Sequence, residues 1–289
     1  MFTIKEYNKE LNNSYDFSKN YINWKEYRKL LCNNYISYLE KSDNCLIVGA
    51  GYLNDVCIDV IAKNIKKISL LDIDTTAIKK GLKNYELDSE KFNIIEKDIT
   101  SFDMDDFFNQ VIYMLQVKDI NGLKRYFDIV KSRSIKLDLN EKFDSIIISS
   151  IYTQILLMQY IALLNELVKK EEFETYLEPF MLLIGSVIST VNVNLLDNVQ
   201  TGGLVICFSD IFEFDVDDEQ YKLIKGNISN SDFMEEYYNN YITQYGHGLG
   251  SHGISDISTH INIEDSSWYI WPFDEKRKLI VNMIIGVKK

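Results

Sequence analysis

Two glycines one residue apart, Gly49 and Gly51 with Ala50 between them, close the short apolar run Leu46–Val48. Glycine at such a turn lets backbone and a nucleotide-like cofactor approach each other closely. Asp72 follows Gly51 by 21 residues and closes a second apolar run, Ile68–Leu71. A carboxylate at that place can accept both hydroxyls of a ribose, and it can also serve simply as a helix cap. Asp98 and Ile99 close a third run, Phe92–Ile95. An acid, Asp55, stands early in the segment after the glycines, where a pyrophosphate would have to sit. It would repel that group, whereas phosphate sites want bare helix N-terminal N–H groups and cations. Farther on, Tyr245–Gly253 reads as a flexible glycine-rich loop with two imidazoles, His247 and His252. Either could be a general base on a closing lid, or the glycines could merely satisfy turns at the surface.

The elements that must position these groups alternate. Residues 1–43 carry helical spacing around Trp24, Tyr27, Leu31, Tyr35 and Tyr38 and read as a helical cap. From residue 44 onward apolar strands take turns with amphipathic helices. Leu46–Val48, Ile68–Leu71, Phe92–Ile95, Phe143–Ser149 and Leu204–Phe208 are strands one to five. Asp74 or Thr75 can cap the helix after strand two, in which Ile78, Leu82 and Tyr85 share a face. Residues 153–198 read as two helices interrupted near Lys169–Glu172. The runs 268–273 and 279–287, joined by Asp274–Lys278, form an antiparallel hairpin. The pattern predicts an α/β fold: a doubly wound, mostly parallel seven-stranded sheet with a C-terminal antiparallel hairpin and an N-terminal helical cap. The main domain is expected over 44–289, with insertions at about 101–142 and 211–266.

Bulk composition narrows the function. A net charge of −12 excludes a surface that tracks nucleic-acid phosphates. The cysteines Cys32, Cys45, Cys57 and Cys207 lie far apart without metal-ligand spacing. Buried free thiols are therefore expected, and no metal. No apolar run approaches the roughly 18–20 residues of a membrane span, and the N-terminus carries no signal-peptide pattern, so a cytoplasmic protein without a membrane partner is expected.

The ordered set VGAG (48–51), LLDID with Asp72, EKDI with Asp98 and Ile99, FDSIIISS (143–150), GGLVI (202–206) and the closing hairpin resembles the class I S-adenosylmethionine-dependent methyltransferases. The resemblance covers roughly residues 44–289. It implies S-adenosyl-L-methionine as cofactor, with Asp72 and Ile73 at its ribose and Asp98 with Ile99 at the adenine. The glycine turn (Gly49, Ala50, Gly51, Asn54, Asp55) and Ser149 complete the cofactor set, Asp55 pairing with the methionine ammonium. The sequence departs from the family at Ile47, where an acid is common, and at Leu53, where a third glycine is usual. The turn around Leu53–Asp55 must therefore be shaped differently.

Methyl transfer needs alignment, exclusion of water and, for a protonated acceptor, a base. The acceptor is expected beyond strands four and five, with Tyr152, Asp210 and Tyr241 as substrate-binding candidates and His247 and His252 as catalytic ones. Arg28 could clamp the cofactor carboxylate. The aromatic spacing of Phe233, Tyr237, Tyr238 and Tyr241 is equally that of a helix burying one face. The residues after strand four, Ser149-Ser150-Ile151-Tyr152, lack the Asn/Asp-Pro-Pro-aromatic tetrapeptide of enzymes that methylate bases. A small-molecule acceptor is the expectation. A non-catalytic S-adenosylmethionine-binding protein and an aminopropyl- or aminocarboxypropyl-type transferase are the alternatives.

Overall fold

Each apolar run pairs with a neighbour because Val, Ile and Leu side chains must be covered on both faces of the sheet. The computed structural model describes residues 17–100, 104–133 and 136–289. Strands β1 (Asn44–Val48), β2 (Lys67–Asp72), β3 (Asn93–Glu96), β4 (Phe143–Ser149) and β5 (Val199–Asp215) are followed by β6 (Ile261–Trp271) and β7 (Arg277–Lys288). They form a seven-stranded sheet in the order β3-β2-β1-β4-β5-β7-β6. The pairs among β1 to β5 are parallel, and β7 runs antiparallel between β5 and β6. This is the doubly wound sheet with a closing hairpin that the sequence predicts. The chain winds outward from β1 to β3, then returns to the other side of β1 as β4. That reversal opens a crevice at the carboxyl ends of β1 and β4.

Alternate strand residues feed two cores. Leu46, Val48, Leu71, Ile146, Ile148, Val205 and Cys207 face helices α5 (Met104–Gln116), α6 (Ile120–Lys131), α7 (Leu157–Leu167) and α8 (Phe173–Asp197). Cys45, Ile47, Leu70, Ile147, Ile206 and Phe208 face the other side, toward α2 (Lys25–Tyr35), α3 (Ile58–Asn64) and α4 (Thr75–Asn84). Helix α1 (Phe17–Asn23) precedes α2, so an N-terminal helical cap lies on this second face. Asp74 caps α4 by accepting from the N–H groups of Thr76 and Ala77. A smaller third cluster, with Phe212, Tyr221, Ile224, Met234 and Ile280, packs under α9 (Glu219–Asn227) and α10 (Ser231–Tyr245).

Three expectations change. Cys32 on α2 and Cys57 at the start of α3 form a disulfide with Cα atoms 6.0 Å apart, whereas Cys45 and Cys207 are buried free thiols. Their separation of 25 residues in sequence hides the contact, which exists only because the cap lies on the α3 end of the sheet. The segment Lys170–Asp197, which includes α8, is long and apolar enough to cross a membrane by length and composition. Its Phe180, Leu183, Ile184, Val187, Ile188 and Val191 are buried in the first core. Finally, the glycine-rich segment is helical: α11 spans Leu249–His260, leaving only residues 246–248 as a link from α10. Its glycines allow close packing. A Cβ on Gly250 would run into the Asp210 carbonyl, and one on Gly253 into the Tyr152 ring.

Candidate functional site

The glycine turn is built around positive φ, +71° at Gly49 and +41° at Gly51. Gly49 also has no room for a side chain, since a Cβ there would meet Ile151 and the Ser149 carbonyl. Leu53 carries φ 56° as well, the left-handed conformation a third glycine would take without strain. Its side chain is fully buried in the second core, which offsets the strain of order 1–2 kcal/mol that this conformation costs. The Tyr85 hydroxyl bridges the carbonyls of Leu53 and Val56 at 2.9 and 2.8 Å. Arg28 holds the next residue, its Nη1 donating to the Asn54 carbonyl at 2.6 Å and its Nη2 to the Tyr21 carbonyl at 3.1 Å. The guanidinium lies over the Tyr21 and Tyr85 rings. Arg28 thus shapes the variant turn from the cap.

Asp72 locks the turn to the end of β2. Its Oδ2 accepts from the Gly51 N–H and its Oδ1 from the Asp74 N–H, both at 2.9 Å. Each carboxylate oxygen keeps capacity for a further donor. One strand along, the Asp98 Oδ1 accepts from the Thr100 N–H and hydroxyl, both at 2.8 Å. Its Oδ2 is buried without a hydrogen-bond partner among the described residues. Ile73 and Ile99 lie partly buried beside these acids. At the end of β1 the Asp55 Oδ2 accepts from the Ser149 hydroxyl at 2.6 Å, tying the glycine segment to the end of β4.

A fourth acid lies within β5, past the end of β4. Opposite residues of antiparallel strands share a face, so Asp210, Val281 and Tyr269 form one row on the cap side of the sheet. A β-bulge between Asp210 and Phe212 returns the strand to its other face directly afterwards. The Asp210 Oδ1 accepts from the Thr153 hydroxyl at 3.2 Å and the Ser209 hydroxyl at 3.4 Å. Burial raises the carboxyls of Asp55, Asp72, Asp98 and Asp210 above the usual carboxylate range, partly offset by their hydrogen bonds. All four residues nonetheless keep an accessible edge.

The structure thus places Gly49, Ala50, Gly51, Asp55, Asp72, Asp98 and Ser149 around the carboxyl ends of β1 to β4, with Asp210 on β5 just past the end of β4. The remaining candidates have other surroundings. The Tyr152 ring is fully buried and turned into the first core, where its hydroxyl donates to Asn192 Oδ1 at 2.7 Å. The chain turns sharply after β4, with Ser150 at φ 38°, and this carries Tyr152 toward α8 and α11. Tyr241 packs on Phe212 and Tyr245 in the third cluster. His252 sits on α11 with its Nε2 3.1 Å from the Gly185 carbonyl of α8. His247 is exposed on the link, its imidazole pushed down by partial burial and by His252. Among the described residues no group of three or more His, Cys, Asp or Glu is placed to hold a metal.

Thr153 gains a place at this site through its hydrogen bond to Asp210, and Tyr27, one of the cap aromatics, stacks on Trp271 two residues along β6 from Tyr269. Tyr27 carries no motif signal, being one aromatic in a cap helix rich in them. Thr153 is visible only once the turn after β4 is known.

No family model matches the sequence, and no curated protein is similar to it. Among the solved structures with a similar course of chain are several methyltransferases. The N-methyltransferase NodS from Bradyrhizobium japonicum is 11% identical, covers 91% of this chain and 95% of its own, and gives a TM-score of 0.44. A SAM-dependent methyltransferase from Methanosarcina mazei is 12% identical, with 88% and 95% covered and a TM-score of 0.46. One from Clostridium acetobutylicum is 10% identical, with 92% of each chain covered and a TM-score of 0.39.

Proposed function

We propose that this protein transfers a methyl group from S-adenosyl-L-methionine to a small-molecule acceptor. The observation that carries the reading is the carboxylate of Asp55, held by Ser149 beside the glycine turn, where the pyrophosphate of a dinucleotide would call for cations and bare N–H groups. Arg28, the cation that Asp55 senses, is turned to two backbone carbonyls. S-adenosylmethionine carries a sulfonium and an ammonium and no phosphate, so this charge pattern suits it.

The residues present fit the cofactor group by group. Asp72 has acceptor capacity left for a ribose diol after binding Gly51 and Asp74. The orphaned Asp98 Oδ2 is the acceptor an exocyclic amino group requires, with Ile99 as the apolar neighbour of a ring. Asp55, held by Ser149, would take the ammonium. The cofactor supplies an electrophilic methyl on sulfur, so the protein's part is to align the acceptor and keep water out.

Isothermal titration tests this directly. S-adenosylhomocysteine should bind and NAD should not. Asp72→Asn, which keeps the shape but not the charge, should weaken S-adenosylhomocysteine at least about tenfold, the cost of a charge-assisted hydrogen bond. NAD binding without S-adenosylhomocysteine binding would refute the assignment.

A further inference from the structure

Matching the crevice carboxylates to the cofactor leaves one over. Asp72 answers the ribose, Asp98 the adenine amino group and Asp55 the ammonium. Asp210 lies beyond them within β5, two residues past the end of β4, where Ser149 pairs with Phe208. It belongs to the side where an acceptor enters.

A second observation points to a ligand there. Tyr27, on α2 of the cap, is only 2% exposed, and its hydroxyl has no hydrogen-bond partner among the described residues. The ring is fixed by parallel stacking on Trp271, 5.5 Å between centroids and 3° between planes. Trp271 lies two residues along β6 from Tyr269, on the face that carries the row Asp210, Val281 and Tyr269, so the stacking brings Tyr27 to the side of the sheet that Asp210 occupies. A buried hydroxyl left unpaired is costly, so this one is poised for a partner that the chain itself does not supply.

We infer that Asp210 and Tyr27 form the recognition site for the acceptor, and that the accepting group is an amine. This rests on the methyltransferase reading above. A phenolate, thiolate or carboxylate acceptor would be brought as an anion against Asp55 and Asp210. A neutral alcohol would leave a desolvated carboxylate without a counter-charge. An ammonium group supplies both the charge and the donors: one N–H to Asp210 and one to the oxygen of Tyr27. An ammonium nitrogen has no lone pair, so it first gives a proton to the Asp210 carboxylate. The N–C bond then forms as the methyl–sulfur bond breaks, and the sulfur keeps that electron pair.

The test uses the full chain saturated with S-adenosylhomocysteine and titrated with benzylamine, benzyl alcohol and benzoate. Benzylamine should bind about tenfold or more tighter than the alcohol, and benzoate weakest, the scale of a charge-assisted hydrogen bond. Asp210→Asn and Tyr27→Phe should each shrink that preference while leaving S-adenosylhomocysteine affinity within about twofold. Tyr27→Phe keeps the stacking on Trp271, so its effect reports the hydroxyl alone. The inference is overturned by equal or tighter binding of the alcohol or benzoate, or by no binding of benzylamine. It also falls if Asp210→Asn weakens S-adenosylmethionine much more than S-adenosylhomocysteine, since the carboxylate would then serve the sulfonium. A wild-type chain that does not take S-adenosylhomocysteine would instead sink the cofactor reading, a separate result.

Discussion

The four crevice acids are costly residues. A carboxylate pressed among protein groups loses hydration, and its neutral form is favoured. Burial raises Asp210 against the lowering effect of its Thr153 and Ser209 hydrogen bonds, and Glu213 adds to the rise. The linkage sign follows. With the folded value above the unfolded one, the folded chain binds more protons between the two, so stability falls as pH climbs through that window from the ordinary carboxyl range. At neutral pH the ionised group therefore destabilises the empty protein. Asp210→Asn, which cannot ionise, should raise the melting temperature at pH 7, with the gain shrinking as pH falls toward 4. A lower melting temperature at pH 7 would show that Asp210 is already compensated in the free chain. At this scale the sequence revealed much of the site. Asp55, Asp72 and Asp98 each close or follow an apolar run, and that position alone marks them. Tyr152 looked equivalent, but the strained Ser150 backbone sends its ring into the core. No local pattern discloses that turn.

The elements explain how a turn lacking its third glycine holds its shape. The segment 53–57 is pinned by Tyr85 directly after α4, by Arg28 from α2 and by the Cys32–Cys57 disulfide. The Tyr35 hydroxyl also lies 3.1 Å from the Cys57 sulfur. Three anchors thus fix the stretch that carries Asp55. A disulfide closing a loop of 25 residues is worth about 3 kcal/mol by loss of unfolded-chain entropy. Cys32→Ser should lower the urea midpoint accordingly and weaken S-adenosylhomocysteine binding by loosening Asp55. Thiol titration of the oxidised, denatured protein should find two free thiols, those of Cys45 and Cys207; four would remove the link. Strands and caps were legible because continuous apolar runs and an Asp before a helix are local signals. The glycines at 250 and 253 were not. In sequence they spell a flexible loop, while in the fold they let α11 settle on Asp210 and Tyr152.

At the scale of the molecule, the net charge of −12 and the acidic crevice act in the same direction. Fixed negative charge attracts a cationic ligand before contact and strengthens its binding, and salt screens the attraction over about 10 Å at 0.1 M. The methylated cofactor carries one net positive charge, while its demethylated product is neutral overall. The protein should therefore bind the substrate form more tightly than the product form at low salt, with the preference narrowing as salt rises. Titrations at roughly 20 and 500 mM NaCl, spanning Debye lengths of about 20 to 4 Å, check this. The affinity for S-adenosylmethionine should fall several-fold and that for S-adenosylhomocysteine should stay nearly level. Parallel behaviour of the two ligands would mean that the field at the sulfonium is negligible. The acids would then act only through their direct hydrogen bonds, and the overall charge would have no part in selecting the cofactor.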